Sequence, residues 1–590
     1  MVHKFHIPVL GLGFSIDTPL KVAKYGISSV VSVVDDELIE RMRKYHTEKN
    51  NLEFIPIAKK TINSRAKRIT SYLNFMNNVV KLQFYALQEL PFEHGNDLCR
   101  YFELLPSDSQ LRLGYELMMD YPEGERKRIF QNILKKRMVI GSIDVNIMAK
   151  VDNNSDALAA LRGFAESDLT TSVVLSAGMN PKLYSYISEF DDFFPNRNGV
   201  LKKRIILKVS DFRSAFIQAK FLAKKGLWVS EFRIESGLNC GGHAFATEGY
   251  LLGPILEEFK QNKSTLLAEL FDLYCEALAE NPNRHPITPS ITLPPKQLIT
   301  VQGGIGTSSE NDFLLKHYQL DATGWGSPFL LVPEVTNVDG GTLENLVNAS
   351  EEDYYLSNSS PLGVLFNNFK GSTIEQERLS RLEKGRPGSP CTKKYLCTNT
   401  EFTEKPICTA SREYQNLKIN QLANLQLPKA DYERQFNIIT EKICLCEGLC
   451  TSVYLKNEMS KPKESAAVAI CPGPNLAYFS ATYTLQEMVS HIYGQLNLLE
   501  KVKRPHFFIK ELNLYIEYLQ KDIQNHLNNL SDKKIKQLIK FKTQLLAGVD
   551  YYKSLFRNTE GMFSVESSHP YTELLKAENK LANTFISDLI

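Results

Sequence analysis

The chain has 590 residues, 43% hydrophobic and 23% charged, a composition that fits a globular protein long enough for more than one domain. Its formal net charge is +2, from 69 basic and 67 acidic residues, which argues against bulk attraction to nucleic acid or anionic membranes. No run approaches the ~18 apolar residues that span a bilayer; the opening MVHKFHIPVLGLGFSIDT lacks the apolar length and cleavage site of a secretory signal, so a cytoplasmic location is expected.

Short β-branched runs recur at 6–12, 28–34, 142–148, 172–178, 204–210, 231–237, 298–304 and 322–330. They read as apolar throughout, the pattern of parallel strands buried on both faces. Helical patterns separate most of them. TPLKVAKYG follows the first run, with Thr18 as the expected N-cap and Pro19 at the first helical position. SDALAALRGFAES follows the third, with Ser155 as its expected cap. FRSAFIQAKFLAKKGL follows the fifth behind Asp211, and SSENDFLLKHY follows the seventh. Eight alternating units predict an α/β fold, a (β/α)8 TIM barrel over 1–45 and 138–350. Residues 46–137 read as a helical insertion. A doubly wound dinucleotide fold is the competing architecture. Its fingerprint fails, because Gly11 and Gly13 begin G-x-G-x-x-G but Ile16 stands in the third position.

Beyond 350 the texture changes to a long, mostly helical C-terminal extension. Residues 351–480 are irregular and hold seven of the ten cysteines. Residues 481–590 predict amphipathic helices at 484–502, 508–530 and 533–556, packed on the barrel or on each other.

Barrel enzymes carry their chemistry at strand C-termini. The third strand offers Asp144 and Asn146, then Lys150; the fifth offers Lys208. The sixth ends in Glu235-Ser236-Gly237, followed by Asn239-Cys240-Gly241-Gly242-His243. The seventh ends in Gly303-Gly304, and the eighth in Gly324-Trp325-Gly326-Ser327. Small residues at two adjacent strand ends let backbone N–H groups approach an anion, so these two loops are an expected phosphate site.

Four motifs follow in order: Val145-Asn146, Gly241-Gly242-His243, Gly303-Gly304-Ile305, and Gly324 to Phe329. In that order the chain resembles the FMN-dependent barrels of the nitronate monooxygenase group (2-nitropropane dioxygenase-like), with kinship to the FMN domain of glutamate synthase and to inosine monophosphate dehydrogenase. The resemblance covers about 1–45 and 138–345. It implies FMN, with the phosphate held at Gly303, Gly304, Gly324, Gly326 and Ser327. It further implies Asn146 and Gly242 beside the cofactor, Lys208 at the flavin pyrimidine edge, and His243 as the active-site base.

The activity so implied is an FMN-dependent oxidoreductase acting on a small activated carbon acid. The alternatives are an NAD(P)H-dependent enoyl reductase of the lipid or polyketide type, and a non-catalytic scaffold that binds FMN or phosphate. Two departures stand out. Asn239-Cys240 replaces the acid-Ala that precedes the group's histidine motif, and neither the insertion nor the extension has a counterpart in a minimal member. The expected partner is a small-molecule substrate, of unspecified identity; oligomeric state is not fixed by the sequence.

Glutamate synthase carries an iron–sulfur cluster after its barrel on C-x5-C-x4-C. Here Cys391 and Cys397 have the first spacing, but ten residues instead of four separate Cys397 from Cys408. Cys444, Cys446 and Cys450 lie closest together, which makes them the expected core of any metal or iron–sulfur site. Buried structural cysteine is the competing reading.

Overall fold

The fold is a computed structural model that describes residues 2–148, 154–176, 178–280, 292–526, 531–558 and 570–584. Lys150 and the side chain of Ser155 lie outside the described residues. Eight parallel strands form a closed barrel: Phe5–Ile7, Ser28–Ser32, Ile143–Met148, Ser172–Ser176, Arg204–Val209, Val229–Glu235, Leu298–Gln302 and Ala322–Gly324. Closure comes where the eighth strand pairs with the first, Phe5 beside Thr323 and His6 beside Gly324. The first strand stops at Ile7 because Pro8 has no N–H to give the ladder. The eighth stops at Gly324, and Ser327–Leu331 turns into a short 3₁₀ helix with Pro328 near its start.

The strands alternate, contrary to the uniform apolarity read from sequence. Outward residues such as Val145, Ile147, Leu207, Phe232 and Val301 are buried under the surrounding helices. The inward set holds only a small apolar cluster of Val30, Val174 and Ile206. The rest is largely polar, and its charged members are paired with one another. Arg233 Nε donates to Glu231 Oε1 at 2.8 Å, Thr300 donates to the same oxygen at 2.6 Å, and Arg233 Nη2 lies 3.9 Å from Asp144. Asp144 also accepts from Thr171 Oγ1 at 2.8 Å, which fixes it in this interior layer. Buried charges persist only when paired in this way.

The insertion is helical, with helices at Ser64–Glu89, Asp97–Glu103, Gln110–Asp120 and Glu125–Arg137. Asp211 caps its helix as expected, accepting from Ser214 N at 2.6 Å. The first helix is capped differently from the expectation. Asp17 is its N-cap residue, and Thr18 Oγ1 donates to Val335 O at 2.9 Å. In the extension, the helix expected over 484–502 spans only Leu485–Ile492. Gly494 adopts φ +74° just beyond it, a left-handed residue that ends helices. The next two are Phe507–His526 and Asp532–Asn558. Among the described residues no helix is long and apolar enough to cross a membrane.

A second, antiparallel sheet sits outside the barrel. Its strands are Tyr354–Ser357, Leu365–Phe369 and His243–Ala244, with His243 beside Phe366. Sequence periodicity gave no sign of the last strand, which is two residues long.

Candidate active site

A cavity of about 360 Å³ opens at the C-terminal ends of the barrel strands, within the size range of small-molecule sites. Asn146, Lys208, Gly242 and His243 line it, as do Gly303, Gly304, Gly324, Gly326 and Ser327. The nine residues to which the resemblance gives cofactor or catalytic roles therefore border one space, whereas Asp144 does not line it. Cys444, Cys446 and Cys450 are not among its lining.

The cavity carries an ion pair. Lys208 Nζ lies 2.8 Å from Glu235 Oε1, and Gln302 Nε2 donates to that same oxygen at 2.6 Å. Gln302 Oε1 faces His6 Nε2 at 3.4 Å. Desolvation, followed by the nearby Arg233 charge, holds His6 well below the usual imidazole range, so it is neutral. Lys208 is thus a paired cation that reaches the cavity, one of four side chains in a fixed chain. Two wall groups contrast with this. Asn146 Oδ1 and Ser32 Oγ are buried and have no hydrogen-bond partner among the described residues.

The glycines divide into two kinds. Gly303 and Gly304 have φ +115° and +79°, and a Cβ at Gly304 would fall 1.9 Å from Asn239 Nδ2. A Cβ at Gly303 would fall 2.6 Å from Cys240 Sγ. These two let the loop after the sixth strand pack against the loop after the seventh. Gly242, with φ +80°, has nothing within 4 Å of its Cβ position. Ser327 Oγ accepts from Gly473 N at 2.7 Å, so this hydroxyl also ties the extension to the eighth strand's loop.

His243 is held by Ser360, with Nε2 and Oγ 2.8 Å apart, and its ring meets Phe366 edge-on at 5.1 Å. Burial lowers its pKa to about 4, so the ring is neutral at physiological pH.

The extension supplies part of the site that sequence reading missed. Ile470, Cys471, Gly473 and Asn475 line the cavity. Cys471 O accepts from Gly242 N at 3.0 Å, and Asn475 Nδ2 donates to Ile305 O at 3.0 Å. Arg504 Nη1 donates to Glu310 Oε1 at 2.7 Å, and Nη2 donates to Gly304 O at 3.1 Å. Glu310 in turn closes a capping box with Thr307 at the start of helix Ser308–His317. Desolvation raises its pKa, but Arg504 and His506 overcome that push and hold it low. The one sequence signal for any of this was the Thr307-x-x-Glu310 spacing.

The expected metal ligands do not converge. Cys450 Sγ instead donates to Asp35 Oδ2 at 3.3 Å. Burial pushes the Cys444 thiol up to about 11 and Cys446 well above its usual range. Among the described residues no group of three or more His, Cys, Asp or Glu is placed to hold a metal ion.

No protein-family model matches the chain, and no curated protein sequence does. Solved structures of similar shape include three that follow. FabK from Thermotoga maritima is 12% identical, with 62% of this chain and 79% of that one covered and a TM-score of 0.32. The enoyl reductase domain of MlnA, from the macrolactin biosynthesis cluster of Bacillus amyloliquefaciens, is 14% identical over 72% and 87%, with a TM-score of 0.31. A nitroalkane oxidase from Streptomyces ansochromogenes is 9% identical over 83% and 94%, with a TM-score of 0.35. Likenesses this distant carry no argument about chemistry.

Proposed function

We propose that the cavity binds FMN and that the protein is an FMN-dependent oxidoreductase acting on a small activated carbon acid. The observation that carries this reading is the pairing of Asn146 Oδ1 and Ser32 Oγ. Both are buried polar atoms without a partner among the described residues, and both belong to residues lining the cavity. Buried polar atoms are nearly always hydrogen-bonded, so a polar ligand is what these two await. The residues present fit the cofactor. The loop after the seventh strand and the short 3₁₀ turn after the eighth lie where barrels of this kind hold a phosphate. Gly242 leaves room for close approach of a ligand to backbone.

FMN, when bound, supplies two-electron redox chemistry. Lys208 presents a cation to the cofactor, oriented by Glu235. Asn146 and Ser32 supply the hydrogen bonds that orient it. His243 takes the substrate's acidic proton. Its Nε2 lies 2.8 Å from Ser360 Oγ; with the hydrogen on Nε2, Nδ1 is the atom free to accept a proton.

The test is the absorbance spectrum of the purified chain, with mass spectrometry of whatever is released on denaturation. A flavin spectrum that bleaches under dithionite, with FMN released, is expected. A colourless protein that takes up no added FMN would overturn the reading. Anaerobic bleaching by a nitronate identifies the carbon-acid activity, whereas bleaching by NADPH alone would replace it with the enoyl reductase. Full turnover by His243→Ala would remove that residue from the proton transfer.

A further inference from the structure

Three thiols outside the cavity are brought together by the backbone of one loop. Residues 389–411 leave and return at the same place, because Ser389 N donates to Ala410 O and Arg412 N donates to Ser389 O, both at 2.9 Å. Inside this excursion Asn399 and Ile407 exchange both backbone hydrogen bonds, at 3.1 and 2.8 Å. Cys391 follows the outer closure by two residues, Cys397 precedes the inner one by two, and Cys408 follows it by one. The two closures therefore set the spacing that matched no cluster motif. Cys391 Sγ lies 3.9 Å from Cys397 Sγ, and its side chain also hydrogen-bonds Cys408. Cys391 is left-handed, at φ +55°, as is Lys394 at +58°, which folds this segment into a tight turn. Lys393 anchors the turn on the barrel by donating to Asp35 Oδ2 at 2.6 Å.

Exposure separates the roles. Cys391 and Cys397 are half-buried, and Cys408 is buried, at 4% exposure. The hydrogen bond from Cys408 is the largest influence on Cys391. It lowers the thiol to about 6 against the opposing effect of burial, with help from Cys397 and the Lys394 charge. Cys397 is pushed up to about 11, by burial first and by Cys391 next. Cys444 and Cys446 lie within electrostatic reach and are themselves pushed up by burial. A thiolate beside a protonated thiol is the arrangement of an attacking and a resolving cysteine.

We propose that Cys391 and Cys397 form a redox-active dithiol that reduces hydroperoxides, with Cys408 as the donor that positions and stabilises the attacking sulfur. The Cys391 thiolate attacks the peroxide, so that an S–O bond forms, the O–O bond breaks and, with one proton, an alcohol or water leaves. Cys397 then loses its proton and attacks the Cys391 sulfur, so that the S–S bond forms, the S–O bond breaks and water leaves. Two thiols are oxidised by two electrons and one hydroperoxide is reduced by two. Closing 3.9 Å to the ~2.05 Å of a disulfide requires rotation of two half-buried side chains. None of Cys391, Cys397 and Cys408 is among the residues lining the cavity, and the proposal does not depend on the flavin reading.

The test uses the full, reduced chain and hydrogen peroxide. Thiols are pulse-labelled with iodoacetamide at pH 7 and mapped by peptide mass spectrometry, with half-buried Cys275, whose thiol is raised by burial, as internal control. Cys391 is expected to label about fivefold faster than Cys275 or better, the net of higher thiolate fraction and lower nucleophilicity. One equivalent of peroxide should yield the Cys391–Cys397 disulfide. Cys397→Ser should instead accumulate a dimedone-reactive sulfenic acid at Cys391. Labelling of Cys391 no faster than Cys275, or peroxide leaving the pair reduced, would overturn the proposal. So would one equivalent of zinc or iron bound to these thiols.

Discussion

The close approach at Gly304 can be tested with two substitutions and their combination. Gly304→Ala carries two penalties. One is the left-handed backbone, at φ +79°, which costs a residue with a Cβ about 1–2 kcal/mol. The other is the new Cβ, 1.9 Å from Asn239 Nδ2 and 2.5 Å from Cγ. Asn239 is buried and its Nδ2 points to Phe507 O at 3.4 Å, so it cannot swing aside freely. Overpacking of this kind costs about 1–3 kcal/mol. The sum is about 2–5 kcal/mol for Gly304→Ala in the natural background. In an Asn239→Ala background the clash is gone and only the backbone penalty remains. The double-mutant cycle should therefore show a favourable coupling of about 1–3 kcal/mol. Gly242→Ala, with the same sign of φ but open space around its Cβ, should cost only the backbone share. Urea unfolding followed by tryptophan fluorescence suits the measurement, because Trp228 and Trp325, the chain's two tryptophans, are both buried in the barrel. Additivity of Gly304→Ala and Asn239→Ala within about 0.5 kcal/mol would refute the steric account.

Three further outcomes are expected. Turnover that needs neutral His243 should stay flat through pH 6.5 and fall only as pH drops through about 4, in a kcat/KM profile; an acid limb near 6.5 would contradict the buried placement. Glu511 is buried and desolvation raises its pKa from 4.5 to about 7, despite accepting from Ser236 Oγ and Leu252 N. A raised folded-state pKa gives stability that is full below pH 4.5 and is lost as pH rises towards 7, on the order of 3 kcal/mol. Glu511→Gln should abolish this loss between pH 5 and 8 in thermal melts, and a variant that keeps the same slope would assign the slope elsewhere. Arg504→Ala leaves the Glu310 carboxylate, 3% exposed, without its cation. It should destabilise by about 3–5 kcal/mol, with Glu310→Gln restoring part of that; a melt unchanged from the natural chain would exclude the pair as a support of the seventh strand's loop.

The barrel was legible because each strand has to present apolar residues to the helices outside it. Val145, Leu207, Phe232 and Val301 did so whatever lay within. The same outward residues hid the alternation, since the inward ones were a mixture of small apolar and charged side chains that no single period describes. Asn146 and Lys208 were legible as polar residues at strand ends. Their supports were not. Glu235 and Gln302 come from other strands, and Ser360 reaches His243 across 117 residues. Only tertiary structure brings such pairs together. Close spacing alone pointed to Cys444, Cys446 and Cys450. Cys444 precedes the helix Leu445–Lys456, while Cys450 lies inside it and turns to Asp35. Cys446 and Cys450, four apart on that helix, share a face, but Cys450 gives its thiol hydrogen to Asp35. The wide spacing of Cys391, Cys397 and Cys408 was closed by two short backbone ladders.

The extension bears on the ligand end of the barrel more than its distance in sequence suggests. The loops after the seventh and eighth strands are held by Asn475, Arg504 and Gly473, and Cys471 O binds Gly242 beside His243. Each of these contacts uses a backbone or hydroxyl group that a minimal barrel would leave to solvent or ligand. The cavity wall is therefore shared between two parts of the chain. The inward polar layers, with Lys208, Glu235 and Gln302 satisfying one another, belong to the barrel alone. The extension's share of the wall is Leu449, Ile470, Cys471, Gly473 and Asn475. Under the flavin reading proposed above, cofactor contacts would reside in the first set and substrate selection in the second.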